Sequence, residues 1–152
     1  MTDLRDGAAG FFTEDHQACD QRYGELEKAL DAGNAEQVRE CWTRFERAMT
    51  RHLSMEEEVL FPAFEEATGM RGMGPTAVMR HEHVQMRALL QKMAGAISGG
   101  DFSGALDAGD TLLMIIQQHN VKEEGMLYPM ADEALGGAAW EAIVPRLEAM
   151  LR

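Results

Sequence analysis

The chain has 152 residues, 45% of them hydrophobic, and sets 14 Lys and Arg against 26 Asp and Glu for a formal net charge of −12. That length suits one domain with a true core, burying roughly two-thirds of the surface its unfolded chain exposes. The acidity argues against nucleic acid or an anionic membrane surface as partner, and no run approaches the roughly 18 apolar residues of a membrane span.

The first ten residues carry mixed charges and no apolar core of signal-peptide length, so a cytoplasmic protein is expected. A first helix is predicted over about 11–31, with Leu26, Ala29 and Leu30 continuing the face that carries His16. Cys19, on much the same face, and Cys41 read as free thiols packed in the core of a reduced protein. Gly33 ends this helix and Asn34 caps the next, about 35–67, whose stripe of Val38, Cys41, Trp42, Phe45 and Met49 leads into His52 and Glu56. Pro62 lacks a backbone donor and is expected to kink or end that helix one to two turns past Glu56. Gly and Pro within residues 69–75 separate it from a third helix, about 76–98, where Met86, Leu89, Leu90, Met93 and Ile97 follow His83. Asp101 then caps a fourth, about 102–134, in which Leu112, Leu113, Ile115 and Ile116 precede His119 and Glu123, and Pro129 takes the place of Pro62. A short helix near 138–151 follows Gly136 and Gly137.

β-branched residues are sparse and no hairpin signal appears. The expected fold class is all-α: an up-down-up-down antiparallel four-helix bundle over about 10–135 with a short C-terminal fifth helix, one domain spanning residues 1–152.

The chemistry lies in a repeat. His16, His52, Glu56 and Pro62 recur 67 positions later as His83, His119, Glu123 and Pro129, so four of the five histidines share one pattern. Residues four apart on a helix differ by only about 40° in direction, and His52 with Glu56, like His119 with Glu123, therefore presents an imidazole beside a carboxylate. An ionised carboxylate on an apolar face is costly unless it is paired or coordinated. With His16 and His83 arriving from the other helices, the set comprises four imidazoles and two carboxylates. These donors suit iron, manganese or zinc better than magnesium or calcium. Two-fold symmetry favours two ions, bridged by the carboxylates and a shared oxo or hydroxo group, with room for a small molecule such as O₂, peroxide or NO.

The sequence resembles the hemerythrin-like (HHE cation-binding) domain. The resemblance rests on Asp15 and His16, the run from His52 to Pro62, Glu82 and His83, then His119, Glu123 and Glu124 followed by Leu127, Tyr128 and Pro129. It implies a non-haem di-iron cofactor, two Fe ions with an oxo or hydroxo bridge, held by His16, His52, Glu56, His83, His119 and Glu123. Oxygen-carrying members have a further histidine where this chain has Met79, and place the last carboxylate at Glu124, which ranks second here to Glu123. His81 is expected to face solvent or a neighbouring helix. The twelve methionines, Met49, Met55, Met86, Met114, Met126 and Met130 among them, read as core filler or as the wall of a gas pocket. Tyr128 reads as a packing residue, because its repeat partner Phe61 has no hydroxyl. Glu57, Glu58, Glu65 and Glu66 read as a solvated acidic surface.

The leading functional expectation is a di-iron protein that binds or reacts with O₂, peroxide or NO as a sensor, store or detoxifying enzyme. Two alternatives stay open: an iron donor for repair of iron-sulfur clusters, and a non-catalytic zinc- or iron-binding helical signalling module whose protein partner the sequence does not identify.

Overall fold

The computed structural model describes residues 6–152, and every regular element among them is helical, with no strand. The elements are α1 (Gly7–Ala32), α2 (Ala35–Met55), α3 (Phe61–Thr68), α4 (Pro75–Ser98), α5 (Phe102–Lys122) and α6 (Tyr128–Leu151). A π turn at Glu56–Leu60 joins α2 to α3, and a second at Glu123–Leu127 joins α5 to α6. Four long rods result. α1 lies against α2 on one side and against α5 and α6 on the other, while α4 lies against α5 and α2.

The helix ends follow from local chemistry. Gly33 takes a left-handed φ of 72° that returns its N–H to the carbonyls of Ala29 and Leu30, closing α1. Asn34 Oδ1 then accepts from the amides of Glu36 and Gln37, and Asp101 Oδ1 from Gly104 at the start of α5. α1 begins four residues earlier than its apolar periodicity predicts. The cause is distant in sequence: Asp132 of α6 accepts from Ala8 N–H at 2.7 Å and Ala9 N–H at 3.2 Å, so the extra turn is capped from across the fold. That turn buries Ala8, next to the buried Phe11 and Phe12.

At the two prolines the helices change register rather than stop. Of the two expected outcomes, a kink or an end, the end does not occur; each rod continues and widens by one residue just before Pro62 and Pro129. Phe61 N–H reaches back five residues to Glu56, and Tyr128 N–H to Glu123. A proline ring in α-helical register would collide with the carbonyl four residues before it. A widened turn moves that carbonyl aside, and Arg146 Nη2 donates to the displaced Glu58 carbonyl at 3.0 Å. Gly136, with φ 60° and ψ −176°, is non-helical inside the Tyr128–Leu151 segment and bends it.

The interior has two apolar clusters. One gathers Leu26, Leu30, Val38, Phe45, Met93 and Leu112; the other gathers Phe12, Phe61, Phe64, Met79, Leu127 and Tyr128. Every stripe residue named from the sequence falls in the first cluster, with Cys41, Leu89, Leu113 and Ile115 at its partly buried margin. Met49, Met55 and Met86 are buried as filler, whereas Met114 and Met126 are about half exposed, which corrects their reading as core.

Candidate metal centre

The buried polar residues His16, His52, Glu56, His83, His119 and Glu123 come from all four rods. The structure brings the six together. His16 and His52 form one pair, ring centroids 4.6 Å apart, and His83 and His119 a second at 5.0 Å. Each carboxylate serves one histidine of each pair. Glu56 Oε1 lies 3.3 Å from His52 Nε2 and 3.2 Å from His83 Nε2; Glu123 Oε1 lies 3.0 Å from His16 Nε2 and 3.1 Å from His119 Nε2.

The other nitrogen of every ring is also occupied. Nδ1 of His16 donates to Glu124 at 2.7 Å, that of His52 to Asp15 at 2.7 Å, that of His83 to Glu57 at 2.7 Å and that of His119 to Glu82 at 2.8 Å. These outer carboxylates obey the same offset of 67, Asp15 answering Glu82 and Glu57 answering Glu124. Three of them meet a cation: Arg51 approaches Asp15 at 3.9 Å, Arg87 bonds Glu57 at 3.0 Å, and Lys122 pairs with Glu82. Glu124 differs. The position matching Arg87 is Asp20, whose carboxyl is raised by burial and by Glu124, against the pull of His16.

This arrangement fixes the tautomer. A neutral imidazole that donates through Nδ1 keeps a lone pair on Nε2. All four Nε2 atoms therefore turn lone pairs toward carboxylate oxygens, an acceptor-to-acceptor arrangement that needs a proton or a metal ion between. Nε2 of His52, His83 and His119, Glu56 Oε1 and Glu123 Oε2 are buried without a hydrogen-bond partner. Orphaned donor atoms of this kind fit a divalent cation, which would relieve each of them at once. Without an ion, protons take its place. Burial opposes charge on His83, but Glu56 and Glu57 push its pKa up to about 9. Burial likewise opposes charge on His52, yet Glu56 and Asp15 raise it well above its usual value. Burial would raise the Glu56 carboxyl, and His52 with the hydrogen-bonding neighbours holds it well below the usual range.

Around this layer the two halves cease to be alike. Phe61 tilts over His83 at 5.4 Å and Tyr128 over His16 at 5.5 Å, with interplanar angles of 33° and 32°. Tyr128 adds a buried hydroxyl 2.7 Å from Glu56 Oε2, 2.9 Å from Glu123 Oε1 and 3.0 Å from His16 Nε2. Its reading as a packing residue is thus corrected. Five α-helical residues turn about 140° away from the starting direction, whereas the five-residue hydrogen bond of the π turn sets Tyr128 beneath Glu123. On the opposite side a cavity of about 10 Å³ adjoins His16, His52 and His119, walled by Cys19, Met49, Leu53, Met86 and Ile116. It admits about one water-sized molecule. Burial pushes the Cys19 thiol up to about 12, so that wall carries no charge there at neutral pH.

Two further expectations change. Glu57 is a partner of His83, and Glu65 is buried under Thr76 and a bidentate Arg80, so neither belongs to a solvated acidic face; Glu58 and Glu66 are exposed as expected. His81 is exposed, Met79 is buried in the second apolar cluster, and Glu124 stands behind His16 while Glu123 points inward. The outer carboxylates were signalled in the sequence by the same offset as the histidines.

Histidine and carboxylate pairs converging from four rods define a helical cation-binding protein. The chain matches the model of the hemerythrin HHE cation binding domain over residues 8–131 and belongs to that family. It is also similar to the iron-sulfur cluster repair protein YtfE of Edwardsiella ictaluri (strain 93-146), 33% identical over 88 residues that cover 53% of this chain and 40% of that relative. The chain thus spans well under half of that relative's length. No solved structure matches the chain significantly. No helix among the described residues is long and apolar enough to cross a membrane.

Proposed function

We propose that the protein holds two iron ions between its histidine pairs and uses them to bind or react with O₂, peroxide or NO, as a sensor, store or detoxifying enzyme. In this reading His16 and His52 would hold one ion, His83 and His119 the other, and Glu56 and Glu123 would serve both. The observation that carries it is the crosswise contact of each carboxylate with one histidine from each pair. The rods alternate in direction, the segment past Gly136 serves as a short fifth helix, and the whole forms one domain that works in the cytoplasm.

When bound, an iron pair would supply electrons and Lewis acidity toward a diatomic or peroxide ligand. The chain's own residues do the rest. Asp15, Glu57, Glu82 and Glu124 hold the Nδ1 protons, orient the rings and leave each Nε2 free as a donor. Met49, Leu53, Met86 and Ile116 exclude bulk water from the cavity and limit its occupant to a small ligand. In the metal-free site the Tyr128 hydroxyl donates a hydrogen bond to Glu56 Oε2 at 2.7 Å.

The test is to load metal-free protein with Fe(II) under argon and admit O₂, peroxide or NO separately. The expected result is a visible spectral change with at least one of the three at two irons per chain. An iron-loaded protein whose spectrum is indifferent to all three would overturn the reactivity. A second reading, delivery of iron for cluster repair, is supported by the likeness to the cluster repair protein of Edwardsiella ictaluri. Iron transfer from the loaded protein to an apo iron-sulfur protein, faster than from free Fe(II), would favour it.

A further inference from the structure

We infer that Tyr128 is a seventh ligand of the centre, an oxygen donor that completes the His16–His52 half; this rests on the two-metal reading above. The donor sets of the two halves are unequal. Around His83 and His119, donor atoms of Glu56 and Glu123 lie with the imidazole nitrogens inside a 4.8 Å group, making four; around His16 and His52 only Glu123 falls in such a group with both rings, although Glu56 Oε1 still lies 3.3 Å from His52 Nε2. The Tyr128 hydroxyl fills that gap, 3.0 Å from His16 Nε2 and 2.9 Å from Glu123 Oε1.

Symmetry supplies the control. Phe61 and Tyr128 occupy matching places after matching π turns and lean on their histidines at nearly the same distance and tilt. The hydroxyl is what packing alone does not require. It has one proton and three buried neighbours able to accept it, so two close contacts remain acceptor against acceptor. A metal ion held by His16, His52 and Glu123 converts those contacts into a shared coordination sphere. As the oxygen–metal bond forms, the O–H bond breaks and the proton leaves to solvent, with no change in oxidation state.

Tyr128→Phe tests this with little risk to the fold, because phenylalanine already occupies the matching position. The wild-type protein carrying two Fe(III) ions is expected to show a visible phenolate-to-iron charge-transfer band, with tyrosinate vibrations in resonance Raman spectra excited within it. Tyr128→Phe should lose both and bind its second iron roughly 10–100-fold more weakly. Tyr23→Phe, which alters the other of the two tyrosines, should keep both. Two bound irons without tyrosinate vibrations, or a band that survives in Tyr128→Phe, would overturn the assignment and leave the two-metal reading intact. A wild-type protein that takes up fewer than two irons would overturn both.

Discussion

Each histidine of the centre is held at Nδ1 by an outer carboxylate and turns Nε2 inward, which separates holding a metal from orienting the holder. His52→Ala or Glu56→Ala removes an inward donor and is expected to lose metal, whereas exposed His81→Ala should retain it. Elemental analysis after gel filtration decides between these outcomes, and equal loss from all three would mean the ligand shell is misplaced. Glu82→Ala leaves the donors in place but frees the His119 ring and Lys122. Its metal affinity, measured by chelator competition, should fall roughly 10–100-fold. The pH response follows from the same contacts. In metal-free protein the His83 pKa is raised from 6.5 to about 9, so its contribution to stability is complete below about 6.5 and disappears as pH rises through 9. Metal binding competes with those protons and strengthens as pH rises. Melting temperatures of metal-free protein should therefore fall across that window while the affinity for metal rises; a metal-free protein that gains stability there contradicts the assignment of His83.

At the scale of elements, the π turns decide what the site contains. Helix existence, the caps at Asn34 and Asp101 and the apolar stripes were legible because a 3.6-residue period and short-range capping are local properties. The i→i+5 turns were not, since no residue type announces them; only the prolines marked where register must change. The repeat points Tyr128 to packing because Phe61 has no hydroxyl, and the Asp132 cap on α1 has no local signal because its donors lie 124 and 123 residues away. Packing gives opposite roles to two glycines, Gly109 of α5 and Gly125 of the π turn that follows it. A Cβ on Gly109 would sit 2.6 Å from the Tyr23 hydroxyl, on a ring packed against Phe45, and 3.3 Å from Met93 Cε. Gly109→Ala should destabilise the protein by about 1–3 kcal/mol. Gly125 has open space around it, and Gly125→Ala should be neutral or stabilising by about 0.5–1 kcal/mol. Urea titration of both variants checks the signs.

For the whole molecule, a polar layer of six side chains divides the apolar interior into two clusters. Such a layer is unfavourable until a cation joins it, so metal and fold should be linked. At free metal about 1,000 times Kd, each site contributes ~4 kcal/mol. In a chain of this size that raises the melting temperature by roughly 8–16 °C per site, and a chelator should reverse the gain; calorimetry with and without metal reads it. The offset of 67 residues made the symmetric part of the centre legible before any fold was known. Its departures, Tyr128 against Phe61 and Asp20 against Arg87, acquire meaning only when the halves are superposed in space. The most direct measurement is anomalous diffraction at the iron edge from crystals of the iron-loaded protein. Two peaks are expected, one between His16 and His52 and one between His83 and His119, with Glu56 and Glu123 touching both. A single peak, or none beside these histidines, would contradict the account.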